Sequence, residues 1–203
     1  YLFSERSANN NWNRIIQLGT YLRFRPNPGL TWFQRAEVQA NYTTFDFEDL
    51  QFRIRSFVYR KFTIIDSIRI GSQDNLQFRL FHRMELEENG QLFWRTFSEQ
   101  LLLNRRNHYL TFGCQYPIID NLMAHIGVTG YLRREWRFKP SSLGNLIKEK
   151  QKDFLSYGPQ VRLSLPSGRK RQASVSISRL RISTPSGQSY AVNQVDLNAH
   201  WQF

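Results

Sequence analysis

The chain holds a single cysteine, Cys114, in 203 residues. No intrachain disulfide and no cysteine-based metal cluster can therefore form. No apolar run approaches the roughly 18 to 20 residues that a membrane-crossing helix needs, which excludes that kind of span. The sequence has no HExxH pair, no GxSxG elbow and no glycine loop of the Walker or dinucleotide type. The common signs of metalloprotease, hydrolase and nucleotide chemistry are thus missing. No linker or low-complexity tract divides the chain, so a single domain over residues 1–203 is expected. No basic stretch followed by an apolar core opens it, and any export signal is expected to have been removed or to lie outside this sequence. Acidic residues are scarce, 16 against 28 Lys and Arg, for a formal net charge of +12.

What the chain does have is alternation. In YAVNQVDLNAHWQF, Ala191, Val195, Leu197, Ala199, Trp201 and Phe203 share one parity, and Gln194, Asp196, Asn198, His200 and Gln202 share the other. Successive strand side chains point to opposite faces, so such a segment is apolar on one side and hydrogen-bonding on the other. The same writing recurs upstream. Ile16, Leu18, Thr20, Leu22 and Phe24 alternate with Gln17, Gly19, Tyr21, Arg23 and Arg25, while Ala36, Val38, Ala40 and Tyr42 alternate with Arg35, Glu37, Gln39 and Asn41. Leu50, Phe52, Ile54 and Val58 oppose Gln51, Arg53, Arg55 and Tyr59, and Leu76, Phe78, Leu80, Met84 and Leu86 oppose Gln77, Arg79, Arg83 and Glu85.

Turn residues fall at PNPG 26–29, DFED 46–49, GSQDN 71–75, ENG 88–90, NRRN 104–107, PIIDN 117–121, PSGRKR 166–171 and PSGQ 185–188. They predict strands near 12–25, 30–45, 50–70, 76–87, 91–103, 108–116, 122–138, 154–165, 172–183 and 190–203, with YLFSER as an eleventh at the start. The stretch 139–153 reads as the longest loop, with a helical turn around Leu143–Lys150. Parity fails in 91–103, and it slips between Ile177 and Leu180, which predicts a bulge or a local change of environment there.

A strand needs only about 9 to 11 residues to cross a bilayer and can spend half of them facing a polar lumen, so negative mean hydropathy does not argue against a barrel. The polar rows are rich in Arg, Gln, Asn, Glu and Tyr, which interlock in a confined lumen. Arg23, Arg25, Arg35, Arg53, Arg55, Arg79 and Arg83 with Glu37, Glu85 and Glu87 form the expected basic and acidic lumen network. It is either a packed electrostatic plug or a basic pore wall for small anionic solutes. Trp32, Tyr42 and Trp136, with Phe45 and Phe138, sit where rings would meet the membrane–water boundary.

These features resemble a Gram-negative-type outer-membrane β-barrel. In that class the last strand ends in Phe, with an aromatic two residues earlier and apolar residues at alternate positions, and Val195, Leu197, Ala199, Trp201 and Phe203 match. The resemblance implies that this strand is read by the barrel-assembly machinery. It also implies outer-membrane localisation and an all-β, antiparallel up-and-down transmembrane barrel of about 10–12 strands, the even number favouring ten or twelve over eleven. Counting back from the last strand places 185–188 and 139–153 outside, and PSGRKR, DFED and ENG on the periplasmic side.

The expected role is a small porin-like pore, or the membrane-embedded subunit of a larger envelope complex. Its expected partners are membrane lipid, other envelope subunits and small anionic solutes, with no cofactor and no metal. Two alternatives stay open. An outer-membrane enzyme acting on lipid or peptide would draw on His125, which lies on the polar row with His200 while His82 shares the lipid-facing one. A soluble basic nucleic-acid-binding β protein would use the positive charge. The basic residues, however, follow strand parity around the whole chain and cluster only at GRKR 168–171 and at Lys148, Lys150 and Lys152, so no nucleic-acid partner is expected.

Overall fold

A computed structural model describes residues 11–45, 55–72, 75–93, 96, 98–119, 122–140, 146–167, 171–184 and 188–201. Over these residues the chain is all β. Nine strands run β1 Asn11–Asn27, β2 Leu30–Phe45, β3 Phe57–Ile70, β4 Gln77–Phe93, β5 Ser98–Ile119, β6 Leu122–Pro140, β7 Leu146–Ser167, β8 Arg171–Ser183 and β9 Ser189–Trp201. They form one sheet in sequence order, every neighbour antiparallel, the up-and-down order expected. Alternation carries the strands and turn chemistry ends them. Gly29 N–H donates to Asn27 Oδ1 at 3.0 Å in the β1–β2 turn. After β3, Gly71 adopts φ 112°, a conformation that side chains disfavour, and donates to Gly29 O at 2.7 Å.

Two expected turns are strand interior. ENG lies within β4, and NRRN lies within β5, so the segments marked at 91–103 and 108–116 belong largely to one long strand. The reason is pairing: Glu87 and Glu88 register against Arg105 and Asn104 and bond to them across the ladder. The parity failure in 91–103 does coincide with a register shift at Asn89/Gly90, where Leu102 is skipped. The slip between Ile177 and Leu180 does not, since β8 keeps an unbroken register with β9 throughout. There the backbone is regular and the composition inverts. The stretch 139–153 is mostly strand too, with β6 reaching Pro140 and β7 starting at Leu146. The expected helical turn around Leu143–Lys150 is overturned from Leu146 on, where the backbone is strand and pairs with β6 from Pro140↔Leu146 to Trp136↔Lys150. Residues 141–145 lie outside the described residues, as do YLFSER, DFED, Leu50, Phe52, Arg53, Ile54 and Phe203.

One merged strand reverses the sides of everything upstream. Connections 28–29, 71–76, 120–121 and 168–170 share one end of the sheet, called the near end. Connections 46–56, 94–97, 141–145 and 184–188 share the other, the far end. The DFED connection therefore lies at the same end as 141–145, against expectation.

Among the described residues nothing forms a second layer on the outward face. Leu197 is 75 % exposed, Leu18 69 % and Val195 62 %, and the only buried apolar side chains among the described residues are Val58 and Leu92. The opposite, polar face is concave: Arg79 of β4 and Arg162 of β7 line one cavity although β5 and β6 lie between them. With nine alternating strands β1 and β9 point the same way, and they are not paired with each other among the described residues.

Candidate functional site

Parity places Arg23, Arg25, Arg35, Glu37, Arg79, Arg83 and Glu85 together on the concave face, and register divides them into two groups. Toward the far end the charges are paired. Lys61 Nζ lies 2.8 Å from Glu85 and 3.8 Å from Glu87, and Arg83 also holds Glu85. Arg105 bridges Glu87 at 3.0 Å and Glu135 at 3.3 Å, while Arg133 reaches Glu135 at 3.0 Å. Arg35 pairs with Glu37 at 2.9 Å, and Gln17 donates to the same carboxylate. Asn107 and Tyr131 extend the chain of bonds from Glu85 toward β6.

Toward the near end the arginines stand without acids. Arg23, Arg25 and Arg69 line a cavity of about 170 Å³ with Thr31, Phe33 and Ser67. Arg79, Arg162 and His125 line another of about 230 Å³ with Tyr109 and Gln160. None of these five arginines makes an ion pair among the described residues. The floor of the second cavity is a glycine pair. Gly113 and Gly127 face one another across β5 and β6, and a Cβ on Gly127 would come within 2.5 Å of Phe112 O. Two backbones thus approach closely and leave room for the arginine heads. The fixed cations can hold an anion by charge-assisted, bidentate hydrogen bonds.

Sequence reasoning missed several members. Arg69 and Arg162 share the parity of their polar rows and were legible by that rule. Arg105 was lost because NRRN reads as a turn, and Glu135 and Arg133 because 122–138 was read from its apolar row alone. Arg55 precedes β3 rather than lying on its inner row, a correction to the expected strand at 50–70. His125 Nε2 lies 3.0 Å from Ser164 Oγ. Among the described residues no carboxylate is bonded to its other ring nitrogen, so the hydrolase-like arrangement lacks its third member. Asp196 instead accepts from Ser176 and Gln194. No group of His, Cys, Asp and Glu that could hold a metal occurs among the described residues.

On the outward face Trp32 is 37 % exposed and registers with Phe24 and Ile68 near one end. Tyr42 and Trp136 lie toward the other. Arg60 donates to Tyr42 Oη at 3.2 Å, and Lys148 Nζ sits 4.7 Å above the Trp136 ring. Val195, Leu197 and Ala199 are exposed, and the backbone of Trp201 pairs with Arg171. One polar row crosses the outward band: Gln34 donates to Asp66 at 2.9 Å, His82 lies 3.9 Å from Asp66, and His82 Nε2 lies 3.3 Å from His108 Nδ1. Beyond the band, at the tip of the β6–β7 hairpin, Lys139 Nζ lies 2.6 Å from Glu149 and holds its carboxyl below the usual carboxylate range.

An exposed apolar convex face, a charged concave face and strands in meander order define the class: the wall of a transmembrane-type β-barrel. A solved structure agrees on the fold. The chain is similar to the copper transporter OprC, with 9 % identity and a TM-score of 0.59, over 95 % of this chain and 35 % of that one. It spans about a third of that transporter's length. It is also similar to the β domain of the Bordetella autotransporter BrkA, at 10 % identity and a TM-score of 0.49, over 94 % of this chain and 88 % of that one. No protein-family model matches the sequence, and no curated protein matches it significantly.

Proposed function

We propose that these strands are part of the wall of an outer-membrane β-barrel in a Gram-negative-type bacterium, and that its lumen draws small anions to the near-end arginines. The carrying observation is the inverted amphipathicity: the apolar rows are exposed on the convex side, while the network of Lys61, Arg83, Arg105 and Arg133 with Glu85, Glu87 and Glu135 lies on the concave side. In water that arrangement would leave extended apolar patches uncovered. In hydrocarbon it satisfies both faces. An open edge inside lipid leaves backbone groups without partners, so β1 and β9 require further strands to close the cylinder. A barrel lined by unpaired arginines attracts anions and repels cations.

The test is a bilayer recording of the full-length protein and its Arg79→Gln, Arg162→Gln double variant. The wild type is expected to prefer chloride over potassium, and the variant to lose most of that preference with its fold intact by heat-modifiable gel migration. Equal selectivity in both proteins rejects the anion-drawing role. Absence of heat-modifiable migration in the wild type rejects the barrel.

A further inference from the structure

The cavity beside Arg79 has a floor without side chains. On the concave face Arg79 registers with Gly113, Gly113 with Gly127, and Gly127 with Gln160, so a strip two strands wide is bare peptide. Neither glycine accepts a side chain, because a Cβ on Gly113 would lie 2.5 Å from Ile126 O and one on Gly127 2.5 Å from Phe112 O. Arg79 and Arg162 flank the strip from β4 and β7, three strand spacings or about 14 Å across the ladder. Their side chains reach in over it and line the same cavity of about 230 Å³.

The two sides of this floor differ. One row toward the near end, His125 stands between Gln115 and Arg162, and no acid lines the cavity among the described residues. Toward the far end the wall is aromatic: Phe81 and Tyr109 meet edge to face, with centroids 5.9 Å apart and 67° between their planes. Past the rings the acids begin. Arg83 registers with Tyr109 and is already joined to Glu85, the next residue along that face of β4, where Lys61 meets the same carboxylate. A solute lying on the strip thus finds cations at one end, rings at the other, and a carboxylate behind the rings. The field accepts one anionic head, on the near side, and opposes a second at the opposite end.

We propose that this cavity binds an aromatic monocarboxylate, its ring flat on the strip of Gly113 and Gly127 against Phe81 and Tyr109, and its carboxylate held by Arg79 and Arg162. The site rests on the anion-drawing lumen proposed above and names the solute that this part of it takes. A guanidinium fork matches both oxygens of a carboxylate. A carboxylate conjugated with its ring lies in the ring plane, so head and body fit the flat floor together, whereas a tetrahedral phosphate stands out of that plane. The ring adds an edge-to-face contact that chloride or acetate lacks. The cavity of Arg23, Arg25 and Arg69 has one ring, Phe33, and no glycine floor, so the preference belongs to the Arg79 cavity.

The full-length protein, in a zwitterionic detergent and checked for heat-modifiable migration, is titrated with para-fluorobenzoate and followed by fluorine NMR line broadening, with protein-free micelles as the blank. Broadening above the blank is expected, reversed by benzoate and not by equal concentrations of acetate, terephthalate or phenyl phosphate. The Phe81→Leu, Tyr109→Leu double variant keeps an apolar wall without rings and is expected to raise the dissociation constant about tenfold. No broadening above the blank, or equal displacement by acetate, overturns the site. Equal displacement by terephthalate or phenyl phosphate overturns the assignment to a monocarboxylate, and unchanged affinity in the double variant overturns the part given to the rings. The ligand comparison on wild type needs no variant to fold. A wild type that prefers chloride in the bilayer recording yet binds no benzoate overturns this site and leaves the anion-drawing lumen standing, whereas absent chloride preference overturns the lumen reading itself.

Discussion

The two halves of the concave face carry the same residue types to different ends. In the far half Glu37 meets one cation, and Glu85, Glu87 and Glu135 meet two each. In the near half Arg23, Arg25, Arg69, Arg79 and Arg162 meet none among the described residues. The difference teaches what each half is for. Interlocked pairs tie β3 through β6 together across the lumen side and leave little net field, whereas uncompensated arginines hold strands together poorly and project a positive potential. Like charges gathered without acids cost stability, and structures keep such arrangements where a ligand completes them.

The largest effect is expected from breaking the paired half. Glu135 is the anchor of Arg105 and Arg133, with its side chain only 7 % exposed. Glu135→Gln keeps the shape and removes the charge, so two guanidiniums are left facing each other. Removing one partner of a buried pair costs about 3–5 kcal/mol, and the partial exposure of both arginines reduces this to roughly 1–3 kcal/mol. Urea unfolding in detergent micelles measures it. A midpoint equal to that of the wild type would show that the network adds nothing to stability.

A smaller effect, with the opposite sign, is expected from lending the unpaired half an acid. Gln77 is buried and lines a cavity with Arg25 and Arg69. Gln77→Glu is nearly isosteric and sets a carboxylate among those cations. It should stabilise the fold by about 0.5–1 kcal/mol, the range of a partly solvated pair, and should weaken chloride preference in the bilayer recording. If stability rises while selectivity stays, the near-end field has no part in conduction. The two halves would then differ in packing only.

How much of this could be read from the residues follows from where periodicity was undisturbed. In β1, β2, β4 and β9 a single parity runs from end to end of the apolar band, so the faces of Leu18, Val38, Leu80 and Leu197 were legible without coordinates. ENG and NRRN were misread because composition reports what a residue tolerates, not what it pairs with. Gly90 is in β4 for close packing: a Cβ there would meet Gln100 O at 2.9 Å and Val58 Cγ1 at 3.0 Å. Arg105 is mid-strand because Glu87 and Glu135 flank it from both sides, a fact about three strands that no local window contains. That one misplaced turn also reversed the side given to DFED. The β8 slip was visible in the residues, but an inversion of environment and a bulge look alike in one dimension, and only the unbroken register with β9 decides for the inversion. For the candidate site the types were legible and the pairing was not: Arg79 and Arg83 share a strand and a face, and only cross-strand register shows that Arg83 has an acid and Arg79 none.

The smallest effect belongs to the hairpin tip, outside both halves. Lys139 and Glu149 have side chains 62 % and 48 % exposed. Glu149 is held ionised below the usual range by the ammonium beside it, so the pair's contribution is complete above the unfolded carboxylate value and fades as the pH falls through the lower folded one. Water screens both groups almost fully, and Lys139→Ala is expected to leave the unfolding midpoint unchanged at pH 7 and at pH 4 alike. A difference at pH 7 that vanishes at pH 4 would place this tip out of bulk water, packed against another protein. The far end would then be an assembly surface.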